Sequence, residues 1–213
     1  FTDGAFGTVL SDAAIMSVRL FRTESSLTAS TFTVDVANHH AWHTVSRDFT
    51  AEGQWAQQVN HYDDGRVLEV VFSNGQRVTA TMTDQADRHA WTSYLNRYDE
   101  TGAHEASTVL HDSGKMVETF FDPQGYRTGS LVTDGGDLHG WHTIARTYDT
   151  TGTLTGQTNT YDDGRVQQIT YIEGARATVG MTDGGNVAPW ADYTDHFDTV
   201  SGERLRREIR YDD

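Results

Sequence analysis

The chain has 213 residues, 36% of them hydrophobic, with 20 Gly, 2 Pro, no Cys and a net charge of −15. That length can bury a core, and a low apolar content rich in Thr, Tyr and Gly predicts β structure around a thin one. The missing Cys excludes disulfides and thiolate chemistry, while the charge argues against nucleic acid or anionic lipid as a partner and for cations.

Residues 1–41 read as a degenerate leading unit. Phe1-Thr2-Asp3-Gly4 resembles Phe49-Thr50-Ala51-Glu52-Gly53, and the stretch from Ser11-Asp12 to Phe21 resembles Asp63 to Phe72. Phe1 is neither an initiator Met nor the start of a signal peptide, which suggests a mature or excised segment. No apolar run approaches the ~18 residues of a membrane span, so membrane insertion is not expected.

From Trp42 onward a long period sets in. Trp42, Trp91, Trp141 and Trp190 stand 49, 50 and 49 residues apart, dividing the chain into units 42–90, 91–140, 141–189 and a partial 190–213. Seven positions after each Trp comes Phe49, Tyr98, Tyr148 or Phe197, then a glycine, then the tract Tyr62-Asp63-Asp64-Gly65-Arg66 or its copies His111-Asp112-Ser113-Gly114-Lys115 and Tyr161-Asp162-Asp163-Gly164-Arg165. Phe72, Phe121 and Tyr171 precede further glycine turns, with Arg77, Arg127 and Arg176 two residues beyond the glycine. The extra residue in Asp122-Pro123-Gln124-Gly125 accounts for the single 50-residue spacing.

Turn residues cut each unit into four runs of strand length; in the third unit these are about 141–148, 152–161, 165–171 and 175–182. Asp64-Gly65, Asp163-Gly164 and Asn74-Gly75 suit two-residue hairpins, and Asp149-Thr150-Thr151-Gly152 a longer turn closed by a left-handed glycine. Val179 and Met181 flank Gly180 with strand alternation, and no segment carries a capped 3.6-residue apolar stripe. The predicted fold is therefore all-β, a single repeat domain over 1–213 of about four tandem units, each of four antiparallel strands. A four-bladed propeller-like ring and an open β-meander or solenoid both fit. The longer Asp84 to Trp91 connection and the near-integral unit count favour the ring, whereas high polarity favours the meander.

Two constellations carry candidate chemistry. Asp84 with Asp87, and Asp134 with Asp137, place carboxylates close together on loops long enough to fold around a hard cation such as calcium; the same residues are also what turns prefer. Trp42, Trp91, Trp141 and Trp190, flanked by His, Asp and Arg, suit ligand binding as sugar-stacking platforms, or else act as core anchors once per unit. His39, His40, His43, His89, His139 and His142 cluster around three of these Trp residues, as imidazoles that bind a transition metal would, a pattern that packing or hydrogen bonding within the repeat explains better; the fourth copy, Ala188-Pro189-Trp190-Ala191, has no His. Residues that break the symmetry, as a single active site must, are His104, Lys115 and His196; none belongs to a nucleophile or metalloenzyme motif.

The tracts Tyr148-Asp149-Thr150-Thr151-Gly152 and Tyr161-Asp162-Asp163-Gly164-Arg165-Val166 resemble YD repeats of the Rhs type. The larger frame, a Trp after a Thr-Asp-x-x-Asp loop, resembles acidic cysteine-free repeat segments of large alphaproteobacterial proteins secreted by a type I system, the hemolysin-type calcium-binding proteins. The likeness covers 42–213 well and 1–41 weakly, and it implies a secreted or cell-surface location. The calcium nonapeptide Gly-Gly-x-Gly-x-Asp is absent, Gly135-Gly136-Asp137-Leu138 being only a fragment of it, so calcium binding by a β-roll does not carry over. Rhs shells enclose toxins, and four units are too few to enclose anything.

The sequence thus predicts a noncatalytic extracellular β-repeat module of a secreted bacterial protein, serving as scaffold, adhesin or binding domain, with calcium as the one candidate cofactor. A multivalent glycan-binding domain is the alternative, with a glycan or other extracellular ligand as partner. A polysaccharide-active enzyme is the third.

Overall fold

The computed structural model describes residues 8–12, 15–21 and 27–212. The segment Phe1-Thr2-Asp3-Gly4, matched to Phe49–Gly53 in the sequence, lies outside them. By its contacts the chain divides into two compact units, 1–105 and 106–213. Both are built of β-strands and hairpins, and no helix occurs among the described residues.

The first unit holds β1 (Thr8–Asp12), β2 (Ile15–Phe21), β3 (Leu27–Asp35), β4 (Trp42–Thr50), β5 (Trp55–Tyr62), β6 (Arg66–Ser73), β7 (Gln76–Asp84) and β8 (Trp91–Tyr98). Each of these pairs antiparallel with the next, in chain order. β9 (His104–His111) crosses the boundary between the units. The second unit continues with β10 (Lys115–Phe121), β11 (Arg127–Asp134), β12 (Trp141–Tyr148), β13 (Leu154–Tyr161), β14 (Arg165–Ile172), β15 (Ala175–Asp183), β16 (Trp190–Phe197) and β17 (Arg204–Tyr211), paired by the same rule from β9 onward. The strands predicted for the third unit match β12 to β15 to within two residues at each end.

Turn chemistry explains where the chain reverses. Asn74 and Gly75 both have positive φ (51° and 76°), joining Ser73 to Gln76 in the predicted two-residue hairpin. Glu173 and Gly174 do the same at 52° and 80°, an unusual place for Glu. The Asp-Gly tracts differ from expectation. Of their central residues only Gly65 and Gly164 take positive φ, and three residues connect the strands, as in a turn closed by a left-handed glycine.

At Gly164 a second constraint adds to φ: a Cβ there would lie 3.1 Å from the backbone of Gly185, in the connection from β15 to β16. A Cβ on Gly114 would likewise meet the amide nitrogen of Gly136 at 2.9 Å, in the connection from β11 to β12. The hairpin tips therefore pack against the longer loops two strands further on; glycine stands on both sides of that contact in the second unit, while in the first Ala86 lies against Gly65.

The core is thin and made of small side chains. Val45, Val70 and Ala80 are buried in the first unit, Ala106, Ala177, Val179 and Met181 in the second, and among the described residues no large side chain is fully buried. Strand alternation is plain in β15, where Ala177, Val179 and Met181 turn inward and Arg176 and Thr182 face out.

Polar pairs across neighbouring strands fill what apolar groups leave. Arg47 Nε donates to Gln58 Oε1 at 2.8 Å, and Gln58 in turn donates to Asn60. Arg146, Gln157 and Asn159 repeat the chain of contacts in the second unit, at 2.9 Å for each bond. At the corresponding β16–β17 site the polarity is reversed: Asp195 accepts from Arg207 Nε and Nη2 at 2.7 and 2.6 Å.

Candidate functional site

Four connections share one plan. Each leaves a strand at an Asp and enters the next at a Trp: Asp35 to Trp42 and Asp84 to Trp91 in the first unit, Asp134 to Trp141 and Asp183 to Trp190 in the second. Oδ2 of that Asp accepts from the amide five residues on, which belongs to His40 (2.6 Å), His89 (2.5 Å), His139 (2.6 Å) or Ala188 (2.5 Å). Asp84 Oδ2 accepts the Arg88 amide as well, at 2.8 Å. The other oxygen, Oδ1, is shielded from solvent and has no hydrogen-bond partner at any of the four.

The carboxylate thus clasps the loop through backbone donors that would otherwise go unpaired. Burial alone would raise the pKa of Asp134, but the Leu138 and His139 amides and the His139 ring outweigh it, so the group lies below the ordinary 3.8. Asp35 balances in the same way, burial being overcome by the His40 and His39 amides and the His40 ring.

The loop's fourth residue, three beyond the clasping Asp, has left-handed φ: 54° at Asn38, 52° at Asp87, 50° at Asp137 and 50° at Asn186. Its amide donates to the carbonyl of the clasping Asp at 3.3–3.5 Å. Asp and Asn adopt this conformation more readily than other residues with a Cβ. Since Asn serves in two of the four copies, the position selects a backbone shape rather than a charge.

The structure therefore gives the sequence-predicted carboxylates separate parts within one loop. Asp84 and Asp134 clasp it, and Asp87 and Asp137 turn it. Among the described residues no three His, Asp or Glu side chains form a group that could hold a metal ion. The other acidic tracts are also engaged locally. Asp64 and Asp163 each accept from the Arg two residues on, Arg66 and Arg165, at 2.8 Å, while Asp99 and Asp149 cap the turn amides of Thr101 and Ala103, and of Thr151 and Thr153.

Trp42, Trp91, Trp141 and Trp190 are half-buried, whereas a once-per-unit aromatic read from sequence as a core anchor would be buried. The reason is position. Each is the first residue of its strand, beside the loop, where the sheet offers less cover. Three are stacked by the His two residues earlier: His40 on Trp42 (5.0 Å between ring centres, 24° between planes), His89 on Trp91 (5.1 Å, 0°) and His139 on Trp141 (5.1 Å, 12°). The fourth copy has Ala188 at that position, and Trp190 instead meets Tyr193 edge-on at 5.0 Å. The same Asp that receives the His amide thus fixes the backbone from which the imidazole covers the Trp face.

Sequence reading missed the arginine–aromatic pairs. Arg77 lies over Tyr98 (5.2 Å), Arg127 over Tyr148 (4.3 Å) and Arg176 over Phe197 (4.1 Å). The signal was present as a constant interval of 21 residues between the Arg and the aromatic of the next unit. Of the residues that break the repeat, His104 contacts Asn96 and Tyr98, and His196 lies 3.7 Å from Glu208.

In comparison with known proteins, no family model matches the chain, and no curated protein matches it.

Proposed function

We propose that the chain is a noncatalytic β-repeat module of a secreted or cell-surface bacterial protein, acting as a spacer or binding scaffold. One observation carries this reading: the groups that looked chemically active in sequence recur at equivalent loops and are engaged there in the same way, Asp with backbone amides and His with Trp. A catalytic centre needs a constellation that breaks the repeat, and these do not. The uninterrupted pairing of β3 with β4, β7 with β8, β11 with β12 and β15 with β16 supports the open meander over the ring, because propeller blades are separate sheets.

A multivalent glycan-binding domain is the second reading, favoured by half-buried Trp rings at equivalent positions and by Trp55, which is 44% exposed. Tryptophan fluorescence during titration with a panel of acidic and neutral oligosaccharides separates the two. The scaffold reading expects no saturable change. A saturable change abolished by Trp91→Ala or Trp141→Ala would replace it with the glycan reading.

A further inference from the structure

The bulge just after the boundary Trp recurs in later copies, at Trp141/Thr143 and Trp190/Asp192, and in the first full repeat it carries a His that faces a second His. A bulge in β4 between Trp42 and Thr44 inserts His43 beside the neighbouring strand, where Thr44 pairs with His61 of β5. The His43 and His61 rings lie 6.0 Å apart between centres, with 51° between their planes. Asp63, at the tip of the following hairpin, brings Oδ1 to 4.0 Å from His43 Nδ1. Bulges re-aim side chains, and this one brings two imidazoles and a carboxylate together at an accessible place, the His43 and Asp63 side chains being 56% and 36% exposed. The repeat frame does not require it: the positions of His43 and His61 hold Thr92 and Leu110, His142 and Thr160, and Ala191 and Arg210 in the later copies.

We propose that His43 and His61 chelate a divalent transition-metal ion of the nickel, copper or zinc class, with the nearby Asp63 carboxylate adding negative charge but no ligand. Imidazole nitrogens hold such ions at about 2.0–2.1 Å, so an ion shared by two rings sets their centres about 4.5–6 Å apart, a spacing that small side-chain rotations reach from the observed one. Neutral imidazole selects these metals, whereas calcium and magnesium take oxygen. The surrounding charges agree. The chain carries −15 overall, and the nearest guanidinium on the hairpin, that of Arg66, is occupied by Asp64 at 2.8 Å. Two imidazoles alone make an open chelate whose remaining positions water fills; no three-residue group that could hold a metal ion occurs among the described residues.

Calorimetric titration of the full chain with nickel chloride at neutral pH tests this, with calcium chloride as control. One nickel ion per chain should bind in the tightest class, well ahead of calcium. Loss of even an outer-shell partner costs metal sites about 10–100-fold, so His43→Ala and His61→Gln should each weaken nickel binding by at least about tenfold, and Asp63→Asn by less. His142→Ala, at the same bulge position of a later copy without a facing His, should leave binding unchanged. Circular dichroism confirms that each variant is folded. For any variant that is not, selective broadening by nickel of the His43 and His61 imidazole signals in the unaltered protein decides the matter. Equal weakening by His43→Ala and His142→Ala, nickel binding no tighter than calcium, or broadening centred on other histidines would overturn the proposal.

Discussion

Acid should unfold this protein over a narrow range below about pH 4, where Asp residues with lowered pKa values take up protons. The groups involved are spread through both units, and their causes differ. The Arg66 amide and side chain lower Asp64, with burial opposing; the Arg165 side chain lowers Asp163; the Arg207 side chain lowers Asp195. Turn donors lower the next three, led by the Thr101 hydroxyl at Asp99, the Thr151 hydroxyl at Asp149 and the Ser201 amide at Asp198. At Asp35 and Asp134 burial acts upward and the loop amides override it.

Every one of these shifts lowers the folded value below the ordinary 3.8. The stability they supply is therefore complete above that value and is lost as pH falls through the folded values. A second effect runs the other way at milder pH. The net charge of −15 shrinks as the pH falls from neutrality, and the relief of self-repulsion should raise the melting temperature slightly before the steep fall below about pH 4. Thermal melts followed by circular dichroism from pH 8 to pH 2 measure both limbs. A melting temperature held constant down to pH 3 would mean that these carboxylates contribute nothing.

The second large effect belongs to the Asp195–Arg207 pair. Asp195 is buried, at 5% exposure, and accepts two hydrogen bonds from one guanidinium that also lies over the Tyr193 ring at 4.4 Å. Replacing it by Asn exchanges a charge-assisted pair for a neutral amide, at a cost of about 1–3 kcal/mol. The Arg207 side chain is 39% exposed, and solvent screening there keeps the cost toward the lower end. Arg207→Ala should also destabilise, by leaving the buried carboxylate short of donors. The repeat itself supplies the rescue. Asp195→Arg with Arg207→Gln recreates the Arg146–Gln157 arrangement of β12 and β13, and the double variant should melt above either single one. Urea denaturation gives the free energies. A double variant no more stable than Asp195→Arg alone would show that these cross-strand sites are not equivalent.

What could be read from sequence was what depends on neighbours along the chain. The spacing of Trp42, Trp91, Trp141 and Trp190 and the turn glycines marked the strands, because turn φ values and strand alternation are local properties. Asn74-Gly75 was placed correctly for that reason, while Asp64-Gly65 was assigned too short a loop because Asp tolerates more than one backbone conformation. Partnerships between strands were not legible. The interval from Arg77 to Tyr98 signals a contact only once β7 is known to lie beside β8. The loop carboxylates show the limit most clearly. Asp84 and Asp87 were grouped as equals by their proximity, yet one accepts amides at its carboxylate and the other serves through its φ, a distinction that spacing does not encode. The spacing of the Trp residues left stacking platform and core anchor both open, because fixed phase reveals equivalence, not depth.

The central claim is that the acidic loops hold themselves together through an Asp clasp and a left-handed turn, and that they serve a scaffold. The most direct test compares the melting of Asp134→Asn with that of Asp137→Asn, in sodium chloride and in calcium chloride at matched ionic strength. Asp134→Asn weakens the acceptor for the His139 amide and should lower the melting temperature. Asp137→Asn places the residue found at Asn38 and Asn186 and should change stability by no more than about 0.5 kcal/mol. The difference between the variants should be the same in both salts. If Asp137→Asn proves as damaging as Asp134→Asn, and both losses appear only when calcium is present to stabilise the parent protein, the loops are ion cages and the account is wrong.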